Sequence, residues 1–242
     1  MNRNVLVTGV SQGLGLVLAG RLLSAGWSVY GLSRNLSPAY AGLQAAYAGR
    51  ARHLPYDLHD TDGVHAKVFG EFAGFDVVLH GFVNNAATAY DDIITNLDAG
   101  RLREMYAVNV FTPMMLTKYV VRNMLFHRTA GSIVHVSSIS VHAGYKGLAM
   151  YASTKGALEA FSKGTAREWG ERKIRSNCVV AGFMETAMSA TLSEEQRQRI
   201  YQRTALKEAT RLESVADTVA FLLDEGAASI TGQNMVVDSG TI

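Results

Sequence analysis

Short apolar runs alternate along this chain with longer segments of helical periodicity. Alternation of this kind predicts a parallel β-sheet that helices cover on both faces. The strand candidates are residues 5–8, 28–32, 53–56, a run that ends at Val83, 132–137, 176–180 and 234–237. The pattern therefore predicts an α/β fold, with seven parallel strands in a doubly wound sheet of the Rossmann type.

Helical periodicity is clearest in residues 14–25, where Leu14, Leu18 and Leu22 form one stripe and Gly26 is well placed to end the helix. Residues 101–126 and 151–170 predict two longer helices, rich in alanine, leucine and methionine. The segment 76–84 fits two interpretations, because its apolar residues can end a helix or begin the strand that closes at Val83.

The composition predicts a single folded domain over residues 1–242, since 48% of the residues are apolar and 18% are charged. A net charge of +2, with acids and bases interspersed, argues against a nucleic-acid partner. Residues 4–20 include polar side chains and four glycines, which fits neither a signal peptide nor a membrane span, so we expect a cytoplasmic protein without a membrane partner. Cys178 is interpreted as a core residue. The seven histidines lack the spacing of metal ligands, and no metal is expected.

A glycine-rich turn follows the first predicted strand and opens the first helix. Its glycines, Gly9, Gly13 and Gly15, allow a tight turn and a close approach to a pyrophosphate, while the amino terminus of the helix favours negative charge. This context predicts a dinucleotide site, to which Ser11, Gln12 and Leu14 of the same turn also contribute.

The choice of cofactor is expected at the end of the second strand, where an acidic residue would bind the ribose hydroxyls and repel a 2′-phosphate. The chain has Ser33 and Arg34 there instead. A hydroxyl and a guanidinium attract phosphate, which predicts NADP(H) as the cofactor. The alternative is that Arg34 is an ordinary surface cation.

Candidate acid–base chemistry lies in Tyr151 and Lys155, which are four residues apart and share one face if the segment is helical. An adjacent cation favours the phenolate and so predicts a lowered pKa for Tyr151. Ser138 follows the strand at 132–137, and ligands of open α/β sheets bind at that end of the strands. Its hydroxyl is placed to hold a substrate oxygen.

In this set of motifs the chain resembles the short-chain dehydrogenase/reductase family over essentially its whole length. The family's adenine-side aspartate matches Asp57, with Leu58 beside it, and its Asn-Asn-Ala-Gly motif appears as residues 84–87, with Asn85 and Ala86 at the cofactor. Its catalytic asparagine matches Asn109. Two positions depart from the family pattern, since Ala87 replaces a glycine and Ala181 replaces a proline.

The resemblance implies a role for each matched residue. Tyr151 is the general acid in reduction, Ser138 orients and polarises the carbonyl, Lys155 binds the nicotinamide ribose and lowers the pKa of the tyrosine, and Asn109 holds a relay water. It also implies that Gly182, Met184 and Thr186 contact the nicotinamide end, under a substrate lid at about residues 183–210, and that the protein is a homotetramer.

Within the family the carboxy-terminal third is most similar to 3-oxoacyl-acyl-carrier-protein reductases, which implies a ketone substrate carried on that acidic protein. Arg172 matches a basic position that such enzymes have beside the active-site entrance; Arg128 and Lys173 are further candidates, and a solvated face is the alternative. The expected pocket side chains are His142, Tyr145, Met150, Phe183 and Met188. Two other functions stay open, an NADP-linked reductase of a free small molecule and a non-catalytic nucleotide-binding regulator.

Overall fold

The seven predicted strands form one sheet in the computed structural model, which describes residues 3–186, 189 and 192–242. Their order is β3-β2-β1-β4-β5-β6-β7, and all neighbours are parallel. The strands are β1 Asn4–Thr8, β2 Ser28–Ser33, β3 Ala51–Pro55, β4 Leu79–Asn84, β5 Gly131–Ser138, β6 Ile174–Ala181 and β7 Asn234–Val237. The predicted fold class is confirmed, with most strand ends moved by one or two residues.

Helices connect the strands and cover the sheet. They are α1 Gly13–Ser24, α2 Pro38–Ala46, α3 Ala99–Tyr106, α4 Thr112–Phe126, α5 Ser140–Ala143, α6 Ala149–Trp169, α7 Glu194–Tyr201 and α8 Leu212–Leu223. Two further segments, Val64–Phe72 and Ala107–Phe111, have the wider π-helical winding. Among the residues that the structure describes, no helix combines the length and the apolar character that a membrane span requires.

The prediction of one helix over residues 101–126 is confirmed in outline, but the helix begins at Ala99 and its winding is not uniform. The chain forms α3, the π-helical turn Ala107–Phe111 and then α4. Pro113 is a physical reason, because it has no N–H to donate to the carbonyl of Asn109 four residues earlier, as an α-helix would require. In the ambiguous segment 76–84, the structure begins β4 at Leu79.

Apolar side chains pack on both faces of the sheet. On one face, Leu18 and Leu22 of α1 belong to the same buried cluster as Val219 of α8. On the other, Leu116 and Val120 of α4 pack with residues of the π-helical segment Val64–Phe72. Strands such as β2 are therefore buried along their whole length, and the continuous apolar runs in the sequence follow from this arrangement.

The direction in which the sheet is wound reverses between β1 and β4, which are neighbours. Connections on the two sides of such a point diverge and leave a crevice outside the carboxyl ends of the strands, where ligands of this fold bind. The loops after β1 and β4 line this crevice.

Candidate functional site

The loops after β1 and β4 are joined by hydrogen bonds at the switch point. The Thr8 hydroxyl accepts hydrogen bonds from the backbone N–H groups of Asn85 and Ala86, each at 3.0 Å. The Asn85 side-chain amide in turn donates to the Thr8 carbonyl at 3.0 Å. These contacts set the predicted Asn85–Ala86 pair directly beside the glycine turn.

The glycine turn requires its glycines for reasons visible in the backbone. Gly9 and Gly13 have φ angles of +75° and +53°, in the left-handed region that favours glycine. A Cβ at Gly15 would lie 2.0 Å from the Gly9 carbonyl oxygen, so no side chain fits there. Gln12 caps α1 without a side-chain hydrogen bond, which leaves the helix amino terminus facing the crevice for an anion.

Leu14 differs from the other predicted residues of the turn, because its side chain is buried in the core below α1. Ser11 is half-buried and Gln12 is exposed. A cofactor contact at Leu14 is therefore a contact to its backbone.

The end of β2 presents polar groups and no carboxylate. The Ser33 hydroxyl lies 2.7 Å from Nε2 of His53 and donates to the carbonyl of Asn35 at 3.0 Å. Arg34 is exposed, and its positive charge helps to lower the pKa of Asp57, so these two residues are near each other. The predicted phosphate-binding residues thus lie at the rim of the same crevice.

Asp57 has a fixed position in the loop after β3. Its Oδ1 accepts hydrogen bonds from the backbone N–H of His59 at 3.0 Å and from the His59 ring at 2.8 Å, and the backbone bond is the largest cause of the lowered pKa of this carboxyl. The Leu58 carbonyl accepts from the Thr112 hydroxyl at 2.7 Å, which connects this loop to the start of α4.

Lys155 is one of the residues that hold α6 against the sheet. Its ammonium group is buried and donates to the Val136 carbonyl of β5 at 2.8 Å. Because Tyr151 is one turn earlier on the same helix, it lies toward the carboxyl end of β5, where Ser138 ends the strand. The Ser138 hydroxyl accepts from the backbone N–H of Ser140 at 3.2 Å. The structure thus gathers the predicted tyrosine, lysine and serine at one edge of the sheet.

The expected lowering of the Tyr151 pKa is not found. Burial of the phenol raises this pKa, and the nearby Asp91 carboxylate raises it further. Burial lowers the pKa of Lys155 to about 8. The ammonium is directed to Val136, and it lies 5.7 Å from the centre of the Tyr151 ring, so it does not stabilise the phenolate as a close partner would.

Asn109 links the loop after β4 to α6 from within the π-helical turn. Its Oδ1 accepts from the Thr88 N–H at 2.9 Å, and its Nδ2 donates to the Thr88 carbonyl at 2.8 Å and to the Thr154 hydroxyl at 3.1 Å. Both N–H donors of the side-chain amide are used by these partners, and the backbone carbonyl, which lacks an α-helical donor at Pro113, is an acceptor suited to a relay water.

The segment after β6 returns over the glycine turn. A Cβ at Gly182 would lie 2.3 Å from the Thr210 hydroxyl and 2.6 Å from Cα of Asp238, so this position accepts only glycine. Met184 packs against the core that contains α1. A Cβ at Gly13 would be 3.7 Å from Cγ2 of Thr186, which places Thr186 directly above the turn.

The expected pocket side chains divide into two groups. Met150 is buried with Tyr90 and Met105, and Tyr151 packs against this cluster. Phe183 lies 6.2 Å, ring to ring, from Tyr201 of α7, and Tyr145 is half-buried. Met188 lies outside the described residues.

His142 contacts the buried carboxylate of Glu159, a residue that the sequence analysis does not include in the site. Nε2 of His142 is 3.2 Å from Oε1 of Glu159. The same carboxylate accepts from the hydroxyl of Ser137 and, at 2.6 Å, from the side-chain amide of Asn234. A signal was present, since Glu159 follows Lys155 by four residues and shares its helix face.

The basic residues expected at the entrance lie elsewhere in the chain. Arg128, Arg172 and Lys173 are exposed and flank the amino-terminal ends of β5 and β6. Ser138 is at the opposite end of β5, and eight residues of strand span about 23 Å at about 3.3 Å per residue. Within one subunit these cations therefore do not border the crevice, and their placement favours the solvated-face interpretation.

The described residues contain no group of three or more histidine, cysteine, aspartate or glutamate side chains arranged to hold a metal ion. Cys178 is fully buried in β6, where burial raises the pKa of its thiol to about 12. An apolar core role accounts for it.

Comparisons with known proteins agree with this geometry. A family model described as enoyl-(acyl carrier protein) reductase matches residues 9–241. The 3-oxoacyl-(acyl-carrier-protein) reductase FabG of Escherichia coli (strain K12) is 31% identical over 97% of this chain and 95% of that protein. The oxidoreductase YmfI of Bacillus subtilis (strain 168), which is uncharacterized, is 30% identical over 99% of each. A solved structure from Beutenbergia cavernae, a candidate NAD(P)-dependent gluconate 5-dehydrogenase with NADP at low occupancy, has a TM-score of 0.91 and 28% identity, covering 99% of this chain and 96% of that one.

The sheet order, the glycine turn at the switch point and the tyrosine–lysine helix define an oxidoreductase with a Rossmann-type fold. The match to the family model extends over nearly the whole chain. The protein belongs to the short-chain dehydrogenase/reductase family.

Proposed function

We propose that the protein reduces a ketone to a secondary alcohol with NADPH, and that Tyr151 supplies the proton. The observation that carries the proposal is the 2.8 Å bond from Lys155 to Val136. It holds α6 against β5, the strand that ends at Ser138, and Tyr151 lies one turn before Lys155 on that helix. Bound NADPH supplies a hydride to the carbonyl carbon. The Ser138 hydroxyl donates a hydrogen bond to the carbonyl oxygen, which becomes more basic as charge develops on it.

The Tyr151 phenol carries its proton at neutral pH, since burial raises its pKa, and it donates this proton to the alkoxide that forms beside it. Lys155 binds the nicotinamide ribose, and the carbonyl of Asn109 holds the water that returns a proton to the tyrosine. The segment 183–210 acts as the lid over the substrate within the single domain 1–242.

The cofactor is NADP(H), and the crevice fits it. The glycine turn and the start of α1 receive the pyrophosphate, and Ser33 and Arg34 receive the 2′-phosphate. The Beutenbergia cavernae structure contains NADP. The proposed binding residues are Gly9, Ser11, Gln12, Gly13, Leu14, Gly15, Ser33, Arg34, Asp57, Leu58, Asn85, Ala86, Lys155, Gly182, Met184 and Thr186.

Replacement of Arg34 with glutamate tests the phosphate site. We expect the ratio of kcat/KM for NADPH to kcat/KM for NADH to fall at least about tenfold, since a hydrogen bond to a charged group contributes roughly 1.5–3 kcal/mol and about 1.4 kcal/mol corresponds to tenfold. Steady-state kinetics with both cofactors measure it. Arg103→Glu, on the exposed side of α3, is the matched control. An unchanged ratio in Arg34→Glu would leave Arg34 a surface cation.

For the substrate we propose a 3-oxoacyl thioester on acyl carrier protein. The Escherichia coli relative of that activity is 31% identical, and the half-buried Tyr145 and Phe183 offer an acyl chain apolar contacts. The second candidate is a free small-molecule ketone. It is favoured by the position of Arg128, Arg172 and Lys173, which lie far from the crevice of their own subunit.

A substrate panel separates these candidates. Loss of NADPH absorbance is measured with a 3-oxoacyl chain on acyl carrier protein, the same chain on pantetheine, a small polar ketone and an enoyl thioester. We expect kcat/KM to be highest for the carrier-bound ketone. Equal turnover of carrier-bound and pantetheine-bound chains would remove the carrier from the proposal, and preference for the polar ketone would establish the second candidate.

We also propose that the subunits form a homotetramer through α4 and α6. Phe111, just before α4, and Phe126, at the end of α4, are 52% and 72% exposed in the single chain. Apolar side chains of this size are commonly covered in an assembly. Light scattering of the purified protein measures the number of subunits.

A further inference from the structure

The contact between Ser33 and His53 is an unexplained feature of the proposed phosphate site. His53 lies on β3 opposite Gly31 of β2, and its ring reaches along the sheet to Ser33, with 2.7 Å between Nε2 and the Ser33 hydroxyl. The Tyr40 ring fixes His53 in place, because their centres are 5.7 Å apart and the Tyr40 hydroxyl donates to the Arg52 carbonyl.

The hydrogen-bonding capacity of the Ser33 hydroxyl indicates which atom is the donor in this contact. A serine hydroxyl has one proton and two lone pairs, and a carbonyl oxygen can only accept. Both contacts of the Ser33 hydroxyl are hydrogen bonds only when it donates to the carbonyl of Asn35 at 3.0 Å and Nε2 of His53 donates to it at 2.7 Å. Burial lowers the pKa of His53, which favours a neutral ring with one N–H to give.

A donor at Nε2 matters for an anion at the end of β2. If Nε2 were an acceptor, the Ser33 hydroxyl would donate its one proton to Nε2. Ser33 would then offer a phosphate only its lone pairs. With Nε2–H donating, the Ser33 hydroxyl keeps its proton free to swing from the Asn35 carbonyl to a phosphate oxygen, which is itself an acceptor.

We propose that His53 is a positioning residue for the 2′-phosphate of NADP(H), acting through Ser33. Its Nε2–H orients the Ser33 hydroxyl as a donor to the phosphate, beside the charge of Arg34. This inference rests on the proposed use of NADPH and adds a residue from the neighbouring strand to the phosphate site.

Binding measurements test the inference without turnover. The probes are adenosine 2′,5′-bisphosphate and adenosine 5′-monophosphate, which differ only in the 2′-phosphate, and calorimetry gives their dissociation constants. His53→Phe keeps a ring against Tyr40 but removes the donor, and we expect affinity for the bisphosphate to fall about fivefold, the size of one ordinary hydrogen bond of about 1 kcal/mol. Affinity for the monophosphate should stay within about twofold, which also reports that the variant is folded.

Two further variants test whether the effect of His53→Phe comes from the lost N–H donor and acts through Ser33. His53→Gln retains an N–H donor, so we expect it to restore most of the bisphosphate affinity. In a Ser33→Ala background, His53→Phe should have no further effect, because the two residues act as one unit. His127→Phe, at the amino-terminal edge of the sheet, is the control for a histidine replacement as such.

The outcomes separate this inference from the proposed function. If Ser33→Ala weakens bisphosphate binding and His53→Phe does not, or if His53→Phe weakens both ligands equally, His53 has no positioning role while NADPH use stands. If the unaltered protein binds the bisphosphate no better than the monophosphate, the choice of NADP(H) is wrong and this inference is overturned with it.

Discussion

Replacement of Tyr151 with phenylalanine is expected to lower kcat for ketone reduction by roughly 10²–10⁴-fold, the usual contribution of a positioned general acid. The change removes one oxygen from a ring that packs against Met150, Tyr90 and Met105, so the fold and the cofactor crevice should be retained. Consumption of NADPH measures the loss, and the dissociation constant for NADPH should change by less than about twofold, because the pyrophosphate and 2′-phosphate contacts lie elsewhere.

Tyr47→Phe is the matched control for this experiment. Tyr47 is a partly buried tyrosine beside the core of α1 and α8, and the same oxygen is removed far from Ser138. Its kcat should equal that of the unaltered protein. Brisk ketone reduction by Tyr151→Phe would contradict the proposed mechanism, and a biological function that survived this change intact would identify the protein as a nucleotide-binding regulator.

The fold could be predicted from the sequence because the strands are short and the central ones are buried on both faces. Residues of β2 have no exposed side, and their apolar run is a direct consequence. The ends of helices and strands are harder to predict. The start of β4 depends on Asn123 of α4, whose side chain bonds the backbone of Val77 and Leu79, and no local pattern in 76–84 contains that contact.

The wider winding at Ala107–Phe111 could in principle be predicted from the sequence. Pro113 lies inside the segment that the apolar pattern joins into one helix, and a proline there removes the hydrogen bond to the Asn109 carbonyl. The apolar period continues through this segment, and periodicity alone does not indicate that one backbone hydrogen-bond donor is missing.

The site was predictable in its residue types and not in its electrostatics. Local spacing placed Tyr151 and Lys155 on one helix face, and the structure agrees. The direction of the Tyr151 pKa depends instead on its burial and on Asp91, which is brought near from the loop after β4. The pairing of His142 with Glu159 is likewise a product of tertiary packing.

Replacement of Gly15 with alanine is expected to have the second large effect, on cofactor binding and on stability together. The new Cβ would lie 2.0 Å from the Gly9 carbonyl oxygen and 2.7 Å from its carbonyl carbon. Both are backbone atoms, and Gly9 itself is held by a 2.7 Å bond from its N–H to the Leu32 carbonyl, so neither side of the clash can yield without moving the turn. The free energy of unfolding should fall by about 3 kcal/mol, the upper range for overpacking.

Gly20→Ala on the same helix isolates the clash from the general effect of alanine. A Cβ at Gly20 meets only Cδ2 of Leu43, at 3.9 Å, which is ordinary contact. Alanine in a helix interior stabilises by roughly 0.5–1 kcal/mol relative to glycine, so this variant should melt at a slightly higher temperature and bind NADPH normally. Gly15→Ala should melt several degrees lower and bind NADPH at least about tenfold more weakly, because a displaced turn no longer aims the amino terminus of α1 at the pyrophosphate. Melting curves and fluorescence titration with NADPH measure both. If Gly15→Ala binds NADPH as tightly as Gly20→Ala, the pyrophosphate does not lie on this turn.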